Sequence, residues 1–425
     1  MSKSNKIPEA VDVVVIGGGI VGSSTAYYLA RNGISVALCE KGEIACEQSG
    51  RNWGFIRQQG RDPVELPLMI HSLALWHELV GELDEDIGFH VGGTLYLSET
   101  EQRYQSNLAW LKHAKVFDLD THFLSLGDLQ ALIPGIQGQS RGALCTPSDA
   151  RAEPTLATRA IAKKAKQHGA TILNQCAVRG IDIEAGRVAG VVTEHGRIRA
   201  PAVVCAGGAW SSYFCRHLDL LLPQLKVTGS VMATAPAASI TQLSVWRSGL
   251  GLRRRMDGGY NVAYGGNFTC DLTPDYLRFF RNFFHAYRNS KEQVSLKIGN
   301  RFFTELRWPS KWSFDEITPF EKERALNPNP DIKLLNKAYR LLGETFPQLK
   351  GIEIKQRWAG MIDVTPDQLP VISTVDRIPG LTLSTGYSGH GFGIGLGAGN
   401  ATAKLAIGKT PAVSLDAFSI ERLIR

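Results

Sequence analysis

The first forty residues contain the feature that most constrains the fold. An apolar, mostly β-branched run at 11–16 leads directly into Gly17-Gly18-Gly19-Ile20-Val21-Gly22, which fits the pattern G-x-G-x-x-G. A segment of helical composition continues to about Asn32, and a second apolar run at 34–39 ends at Glu40. Strand, glycine turn, helix, strand and terminal acid in this order predict a Rossmann-like unit that binds a dinucleotide.

Each part of this unit has a predicted role toward the dinucleotide. Gly17 permits a tight turn, Gly19 lets the backbone approach the pyrophosphate, and Gly22 lets the helix pack closely on the strand. The first amides of the helix would face the phosphates, and Glu40 would accept hydrogen bonds from a ribose diol. The predicted cofactor contacts of this unit are Gly17, Gly19, Ile20, Val21, Gly22, Glu40 and Lys41. The unit alone leaves FAD and NAD as alternatives.

Length and composition set broader expectations. A chain of 425 residues is too long for one ordinary core, and its hydrophobic content of 44% can fill two domains. Basic residues are scattered apart from the run Arg253-Arg254-Arg255, so the formal charge of +7 does not indicate a nucleic-acid partner. Seven cysteines without a CxxC pair predict reduced thiols, no metal site and a cytoplasmic protein. No apolar run has the length of a membrane span, so we expect no integral membrane segment.

Two later segments combine small residues with apolar strands, as expected beside a cofactor. Residues 48–57 are polar and glycine-containing, and they suit a loop that offers amides to phosphate and brings Arg57 near the cofactor's ring. Residues 202–211 run from an apolar strand into a glycine pair. The predicted contacts in and between these segments are Ser49, Gly50, Arg51, Asn52, Trp53, Gly54, Val178, Ala206, Gly207 and Trp210.

A second glycine-rich site lies near the C-terminus. Residues 380–395 predict a strand, a loop dense in glycine and the start of a helix that continues past Ala401. Such a loop lets the backbone approach a flat ring, and the helix N-terminus would stabilise negative charge at the N1/C2=O edge of a reduced flavin. An NAD enzyme would need only the first glycine site, so the second one favours FAD. The predicted contacts here are Gly360, Gly389, His390, Gly391, Phe392 and Gly393.

The order of these segments predicts an α/β fold of two domains. One domain is Rossmann-like and discontinuous, and the other is built on an antiparallel sheet with a few helices. Residues 63–83 have the apolar spacing of a helix, and residues 90–97 predict a strand that enters the second domain. The predicted FAD-binding domain comprises 1–88, 150–220 and 351–425, and the predicted substrate domain comprises 89–149 and 221–350.

Several motifs together resemble one known family. They are the unit from Gly17 to Glu40, Ser49-Gly50-Arg51-Asn52, residues 205–210, Gly360-Met361-Ile362-Asp363-Val364-Thr365-Pro366-Asp367, and the loop at 386–395. With these motifs nearly the whole chain resembles the D-amino-acid oxidase-type superfamily of FAD enzymes. That superfamily includes glycine and sarcosine oxidases, D-amino-acid dehydrogenases, and opine or proline dehydrogenase subunits. The Ser-Gly-Arg-Asn and Gly-Met-Ile-Asp motifs are similar to those of the β subunit of heterotetrameric sarcosine oxidase.

The sequence departs from the family pattern at two points. Many members have an arginine that pairs with the substrate carboxylate two residues after the glycine that corresponds to Gly360, and this chain has Ile362 there. Some members attach the flavin through a cysteine near that glycine, but no cysteine follows Cys270. We therefore expect noncovalent FAD, and we expect another arginine to bind a carboxylate.

The resemblance implies oxidation of a C–N bond by hydride transfer from an amino acid or secondary amine to flavin N5. Oxygen or an electron carrier would reoxidise the flavin, and an oligomer would be compatible with the sequence. The candidate catalytic residues are Arg57, His390, Arg254 and Tyr260. Arg57 is the first choice for a carboxylate and Arg254 the second, whereas His390 is expected to act more through its backbone or ring packing than by proton transfer. The alternatives are a flavin-bearing subunit that depends on a partner, an NAD-dependent dehydrogenase, and a non-catalytic scaffold.

Overall fold

The computed structural model describes residues 7–266, 268–290 and 294–424. The helices of this part of the chain are α1 (Ile20–Arg31), α2 (Gln48–Arg51), α3 (Leu66–Val80), α4 (Glu101–Val116), α5 (Leu126–Leu132), α6 (Pro154–Gln167), α7 (Ser211–His217), α8 (Pro274–Arg278), α9 (Phe280–Ser290), α10 (Asn300–Leu306), α11 (Pro319–Lys322), α12 (Ile332–Thr345) and α13 (Gly391–Ala406).

The strands follow the same order along the chain. They are β1 (Val13–Ile16), β2 (Val36–Cys39), β3 (Phe55–Ile56), β4 (His90–Val91), β5 (Thr94–Leu97), β6 (His122–Leu124), β7 (Ala143–Thr146), β8 (Ala150–Arg151), β9 (Thr171–Leu173), β10 (Val178–Glu184), β11 (Arg187–Thr193), β12 (Gly196–Arg199), β13 (Ala202–Cys205), β14 (Leu225–Thr234), β15 (Ser244–Arg247), β16 (Leu250–Arg254), β17 (Tyr260–Ala263), β18 (Phe268–Asp271), β19 (Val294–Lys297), β20 (Ile354–Val364), β21 (Val371–Thr374) and β22 (Leu381–Thr385).

A six-stranded sheet forms the centre of the first half of the fold. Its order is β21-β22-β13-β1-β2-β9, and only the β21–β22 pair is antiparallel. The helices α1, α3, α6 and α13 contribute to the core on one face, and residues of α7 contribute to the core on the other. Because both faces are buried, these strands are short continuous apolar runs in the sequence. The α/β fold class and the strands predicted near 11–16, 34–39 and 202–205 are confirmed.

A ten-stranded mixed sheet forms the second half. Most of its pairs are antiparallel, and β5 with β15 and β18 with β19 are parallel. The apolar side of α12 covers the sheet with Leu335, Ala338 and Leu342. The long strands β14 and β20 pair from Leu225↔Val364 to Thr234↔Ile354. The predicted boundary between the substrate domain and the FAD-binding domain at 350/351 would assign the paired strands β14 and β20 to different domains. The division into domains therefore stays a proposal.

One local expectation is corrected by the sheets. Residues 90–97 do not form one strand, because the backbone turns at Gly93 with φ +81° and separates β4 from β5. β4 pairs with β8, whereas β5 joins the ten-stranded sheet. The strands β10, β11 and β12 make a separate three-stranded sheet.

The C-terminal helix α13 fixes the second glycine-rich loop in place. It packs against α1 and α3. The carbonyl of Gly393 in its first turn accepts hydrogen bonds from Ser72 Oγ at 2.7 Å and Trp76 Nε1 at 2.9 Å, both on α3. The start of α13 is therefore anchored by buried side chains. Among the described residues, no helix combines the length and apolar composition needed to cross a membrane.

Candidate cofactor and substrate site

One cavity begins at the carboxyl ends of the central parallel strands. Ile16, Cys39, Cys205 and Thr385, the last residues of β1, β2, β13 and β22, all line it. From there the cavity extends past α2 to β14 and β20 of the ten-stranded sheet. Ligands of open α/β sheets bind at this edge because the loops that leave the strands diverge there.

We call the part of the cavity around Gly17, Gly18, Gly19 and Glu40 the glycine-loop end. Gly17 has φ +107°, and a Cβ at this position would lie 2.5 Å from the carbonyl oxygen of Ala206. A Cβ on Gly22 would lie 1.9 Å from the carbonyl oxygen of Gly17. Both positions require glycine, the first for its conformation and the second for the close approach of α1 to the turn.

Glu40 holds this turn through backbone amides. Its Oε2 accepts a hydrogen bond from Gly18 N at 2.7 Å, and its Oε1 accepts one from Gly42 N at 2.6 Å. Burial raises the pKa of Glu40, and the two amides oppose that shift. Carboxylate oxygens have further lone pairs, so the predicted contact with a ribose diol is compatible with these bonds and stays a prediction.

The loop at 48–57 lies against the start of α1. Ser49 Oγ accepts a hydrogen bond from Ile20 N at 2.8 Å, and the side chain of Asn52 bonds three backbone groups of its own loop. Arg51 reaches away from the turn and donates to Cys46 O at 3.0 Å and Ala359 O at 3.1 Å. Arg51 therefore ties the loop to β20, and Lys41 is similarly engaged by Glu47 at 3.0 Å.

The helices α1 and α13 both begin at this cavity, and Ser49 Oγ accepts a hydrogen bond from the first amide of α1, Ile20 N. Neither Gly19 before α1 nor His390 before α13 makes a side-chain cap hydrogen bond. The first amides of a helix need partners and carry partial positive charge, so both helix starts suit anionic or electron-rich groups of a ligand. The residues at both starts, Gly19 to Val21 and Gly389 to Phe392, line the cavity.

We call the opposite part of the cavity, lined by Arg57, Thr228, Trp246, Tyr264 and Ile362, the arginine end. The guanidinium of Arg57 lies 5.7 Å from the ring centre of Tyr96 and donates to the carbonyl of Gln59. No ion pair within the described residues involves Arg57. Its charge is therefore available to an anionic ligand, and the neighbouring wall is largely apolar.

A buried charged cluster lies behind Arg57. Arg61 donates to Arg57 O and to His390 O, both at 3.1 Å, but its Nη1 has no hydrogen-bond partner in the described chain. Glu65 is fully buried, and its Oε2 lies 3.4 Å from His390 Nδ1, a contact without hydrogen-bond geometry that is an ion pair only when His390 is protonated. Burial by itself would raise the pKa of Glu65, but His390, Arg61 and Arg57 bring it below its ordinary value. Burial and the nearby Arg61 lower the pKa of His390.

Most of the predicted site residues do line this cavity. They are Gly17, Gly19, Ile20, Val21, Glu40, Lys41, Ser49, Arg51, Asn52, Trp53, Gly54, Arg57, Val178, Ala206, Gly207, Trp210, Gly360, Gly389, His390, Gly391 and Phe392. Gly22, Gly50 and Gly393 do not line it and instead allow close packing of α1, α2 and α13 against neighbouring backbone. Which of these residues contact a cofactor stays a prediction.

Arg254 and Tyr260 correct the sequence expectation, because neither lines the cavity. Arg254 Nη1 donates to Tyr260 Oη at 3.1 Å, and that hydroxyl donates to Ala238 O at 3.0 Å. Both side chains thus complete a hydrogen-bond network within the ten-stranded sheet. The neighbouring Arg253 is also engaged, in an ion pair with Glu153 at 2.8 Å.

Several residues that line the cavity or lie directly behind it were not predicted from the sequence. Arg61 and Glu65 carry no motif, and they reach the site only because the irregular segment after β3 folds back toward α13. Asp363 lies inside a recognised motif and could have been found. Its Oδ2 accepts hydrogen bonds from Gly386 N and Gln224 Nε2, both at 2.8 Å, so this buried carboxylate holds the second glycine-rich loop.

These residues fit FAD. The turn at 17–19 leaves no side chain between the backbone and a pyrophosphate, and the loop at 389–391 leaves the cavity open beside the start of α13. One continuous cavity joins the starts of α1 and α13, as a dinucleotide with a flat ring at one end requires. Geometry and topology together define a dinucleotide-binding oxidoreductase fold.

The comparison with known proteins identifies the family. The family described as FAD dependent oxidoreductase (DAO) matches residues 12–405, so the chain belongs to it. This membership decides for FAD over NAD. The structure of the L-amino acid deaminase from Proteus myxofaciens in complex with anthranilate is similar with a TM-score of 0.94 and 32% identity, over 98% of this chain and 94% of that one.

Two relatives illustrate the range of the family. Sarcosine oxidase subunit beta from an Arthrobacter species is 27% identical over 97% of this chain and 91% of its own length. Human mitochondrial sarcosine dehydrogenase is 26% identical over 99% of this chain. This chain spans only 42% of the length of that dehydrogenase and of its mouse counterpart.

Proposed function

We propose that this protein oxidises the C–N bond of an amino acid or secondary amine to an imine, with noncovalently bound FAD as the hydride acceptor. Water then hydrolyses the imine, and oxygen or an electron carrier reoxidises the cofactor. The family membership supports the redox chemistry, and the names of the deaminase and sarcosine-oxidising relatives support an amine or amino-acid substrate. Bound FAD supplies the electron-accepting ring, and the protein has to orient the substrate beside it.

Arg57 is the observation that carries this proposal. Ile362 occupies the position where many family members have a carboxylate-binding arginine, and it packs between Gly229 and Gly389. Arg57 lines the same end of the cavity and makes no direct ion pair among the described residues, although its charge lowers the pKa of the nearby Glu65. A guanidinium can bind a carboxylate through two parallel hydrogen bonds. These bonds strengthen the binding of the substrate and also fix the orientation of its α-carbon.

The apolar wall of the arginine end indicates which kind of side chain the substrate carries. Trp246, Tyr264 and Ile362 line the cavity beside Arg57. An amino acid whose carboxylate pairs with Arg57 would place its side chain against these residues, and burial of apolar surface there would favour a large apolar side chain. We therefore propose an amino acid with an apolar or aromatic side chain as the first substrate class to test.

The dependent flavin-bearing subunit is the second candidate. The similarity to sarcosine oxidase subunit beta, over 91% of that subunit, favours it. Turnover by the purified chain alone, with a soluble dye as electron acceptor, separates the two. An isolated chain that binds FAD but is not reduced by any amino acid or amine would support the dependent subunit.

The deciding experiment compares an amino acid with its decarboxylated amine. Arg57→Lys keeps the charge but loses the paired hydrogen bonds, so kcat/KM for the amino acid should fall about a hundredfold, roughly 3 kcal/mol, with a much smaller change for the amine. Arg254→Lys is the matched control, because Arg254 lies outside the cavity, and it should leave both substrates nearly unchanged. Equal losses for both substrates in Arg57→Lys would show that Arg57 shapes the cavity instead of binding the carboxylate.

A further inference from the structure

The helices α8 and α9 carry an exposed apolar stripe. Leu277, Phe280, Phe284 and Tyr287 are 74%, 57%, 52% and 48% exposed. In α9 the last three recur at helical spacing, whereas Asn282 on the opposite side donates to Leu423 O at 3.2 Å and holds the helix to the protein. The stripe therefore faces away from the core.

Further exposed apolar side chains follow in the next elements. Ile298 after β19, and Phe303 and Leu306 of α10, are each more than half exposed, and α10 contacts α8. Of the twenty large hydrophobic side chains exposed in the described residues, nine lie between 277 and 317. Such concentration is unusual for a monomer surface and marks an interaction site. We call Leu277, Phe280, Phe284, Tyr287, Ile298, Phe303 and Leu306 the apolar patch.

Unpaired arginines surround the apolar patch. Residues 274–311 contain eight Lys or Arg and three Asp or Glu, and four of these cations, Arg278, Lys297, Arg301 and Lys311, are in ion pairs. Arg281, Arg288 and Arg307 are exposed and have no ion pair within the described residues. Two of the acids, Asp275 and Glu305, are buried and neutralised by internal ion pairs, and Glu292 lies outside the described residues.

We propose that the apolar patch docks this protein peripherally on a bilayer surface that contains anionic lipid. Aromatic and aliphatic side chains that alternate with arginines can enter the interface while the guanidinium groups meet the headgroups. A second copy of this chain is a poorer occupant, because a symmetric contact would bring the same unpaired cations together. Protein interfaces are also depleted of charge at their centre, unlike this surface.

The apolar patch is fixed relative to the cavity. Tyr276 of α8 donates to Lys226 O at 2.7 Å, and Lys226 Nζ pairs with Glu305 of α10 at 2.7 Å in a buried contact. Lys226 is on β14, two residues before Thr228 of the arginine end. Docking would therefore hold the arginine end in a defined orientation to the membrane, independently of which substrate it binds.

Sedimentation with lipid vesicles tests the proposal. The FAD-loaded protein should sediment with phosphatidylcholine vesicles that contain phosphatidylglycerol, and weakly with pure phosphatidylcholine or at high salt. The affinity of the triple variant Phe280→Ser/Phe284→Ser/Tyr287→Ser for the anionic vesicles should be lower by about tenfold or more. Arg281→Gln/Arg288→Gln should bind several-fold less and lose most of its salt dependence. The matched control, Val116→Ser/Leu132→Ser, removes exposed apolar groups from α4 and α5 and should bind like the wild type.

Retained FAD content and an unchanged melting temperature would show that each variant is folded. If the triple variant does not fold, Arg281→Gln/Arg288→Gln tests the proposal instead. Absence of sedimentation by the wild type with anionic vesicles would overturn the proposal. Equal sedimentation by the wild type and the folded variants would also overturn it. Light scattering gives the remaining outcome: a wild-type dimer that becomes monomeric in the triple variant would assign the apolar patch to a second copy of the chain.

Discussion

The two ends of the cavity are built on different principles. At the glycine-loop end, the site is formed mainly by backbone groups. Glu40 accepts hydrogen bonds from two backbone amides, and close backbone contacts leave no room for a Cβ at Gly17 or Gly22. Behind the arginine end, charged side chains are buried without full hydrogen bonding, as Arg61 Nη1 and both oxygens of Glu65 show. A backbone site suits the constant part of a cofactor, whereas buried charges that lack hydrogen bonds depend on the neighbouring charges for their stability.

The largest expected effect is at Gly22. Gly22→Ala places a Cβ 1.9 Å from the carbonyl oxygen of Gly17, and backbone cannot yield as a flexible side chain can. We expect a loss of roughly 3 kcal/mol or more in stability and little FAD in the purified protein. Thermal unfolding and the flavin absorbance measure both.

Gly127→Ala is the matched control for Gly22. Gly127 is in α5, and a Cβ there would have no atom nearer than 3.8 Å. This variant should be neutral or slightly stabilising, because alanine has the higher helix propensity. Normal FAD content and stability in Gly22→Ala would show that the turn can relax and that the glycine-loop end is less rigid than its contacts indicate.

The next effect concerns Glu40 and cofactor affinity. Glu40→Ala removes the acceptor of two backbone amides and of the predicted ribose contact, so FAD affinity should fall by about 1.5–3 kcal/mol. The variant should purify largely as apoprotein and recover turnover with excess FAD. Titration of apoprotein with FAD gives the dissociation constant.

Glu43→Ala controls for the loss of a nearby exposed carboxylate and should bind FAD normally. An unchanged dissociation constant in Glu40→Ala would place the ribose elsewhere.

In the same preparations, acid precipitation of wild-type protein should leave the yellow colour in the supernatant. Colour in the pellet would contradict noncovalent attachment.

The smallest expected effect is the loss of stability in Glu65→Gln, which tests the buried charges behind the arginine end. His390, Arg61 and Arg57 face Glu65 and hold its pKa below the ordinary 4.5 in spite of burial. A carboxyl whose pKa is lower in the folded than in the unfolded state stabilises the fold above the unfolded pKa, and this contribution is lost as pH falls through the folded pKa. Glu65→Gln should therefore cost about 1–2 kcal/mol at neutral pH, and the gap to the wild type should close in acid below about pH 4.5.

Denaturant unfolding of both proteins across this pH range gives the measurement. Glu78→Gln, on the exposed side of α3, the helix that Glu65 immediately precedes, should show a small and pH-independent difference. A Glu65→Gln variant that is as stable as the wild type at every pH would mean that the buried carboxylate gains nothing from its cationic neighbours.

The sequence predicted the glycine-loop end better than the arginine end. The turn at 17–19, the strand ends and the glycine-rich loop at 386–395 are contiguous segments whose conformation depends on local steric rules, and they lie where predicted. Arg254 and Tyr260 were wrongly expected in the cavity, because alternation along a strand does not tell which face a distant cofactor will occupy. Arg61 and Glu65 were missed because no local pattern distinguishes a buried arginine in an irregular segment.

The amino-acid sequence by itself determined the α/β class, the dinucleotide turn, the preference for FAD and the absence of a cysteine near Gly360, because these follow from glycine sterics, apolar periodicity and residue identity. Only the tertiary structure decided which arginine lines the cavity, how Ile362 is packed, and that Glu65 and His390 meet behind Arg61. These contacts join residues that are tens to hundreds of positions apart, and their energies depend on burial and on neighbouring charges, which exist only once the sheets and helices have packed.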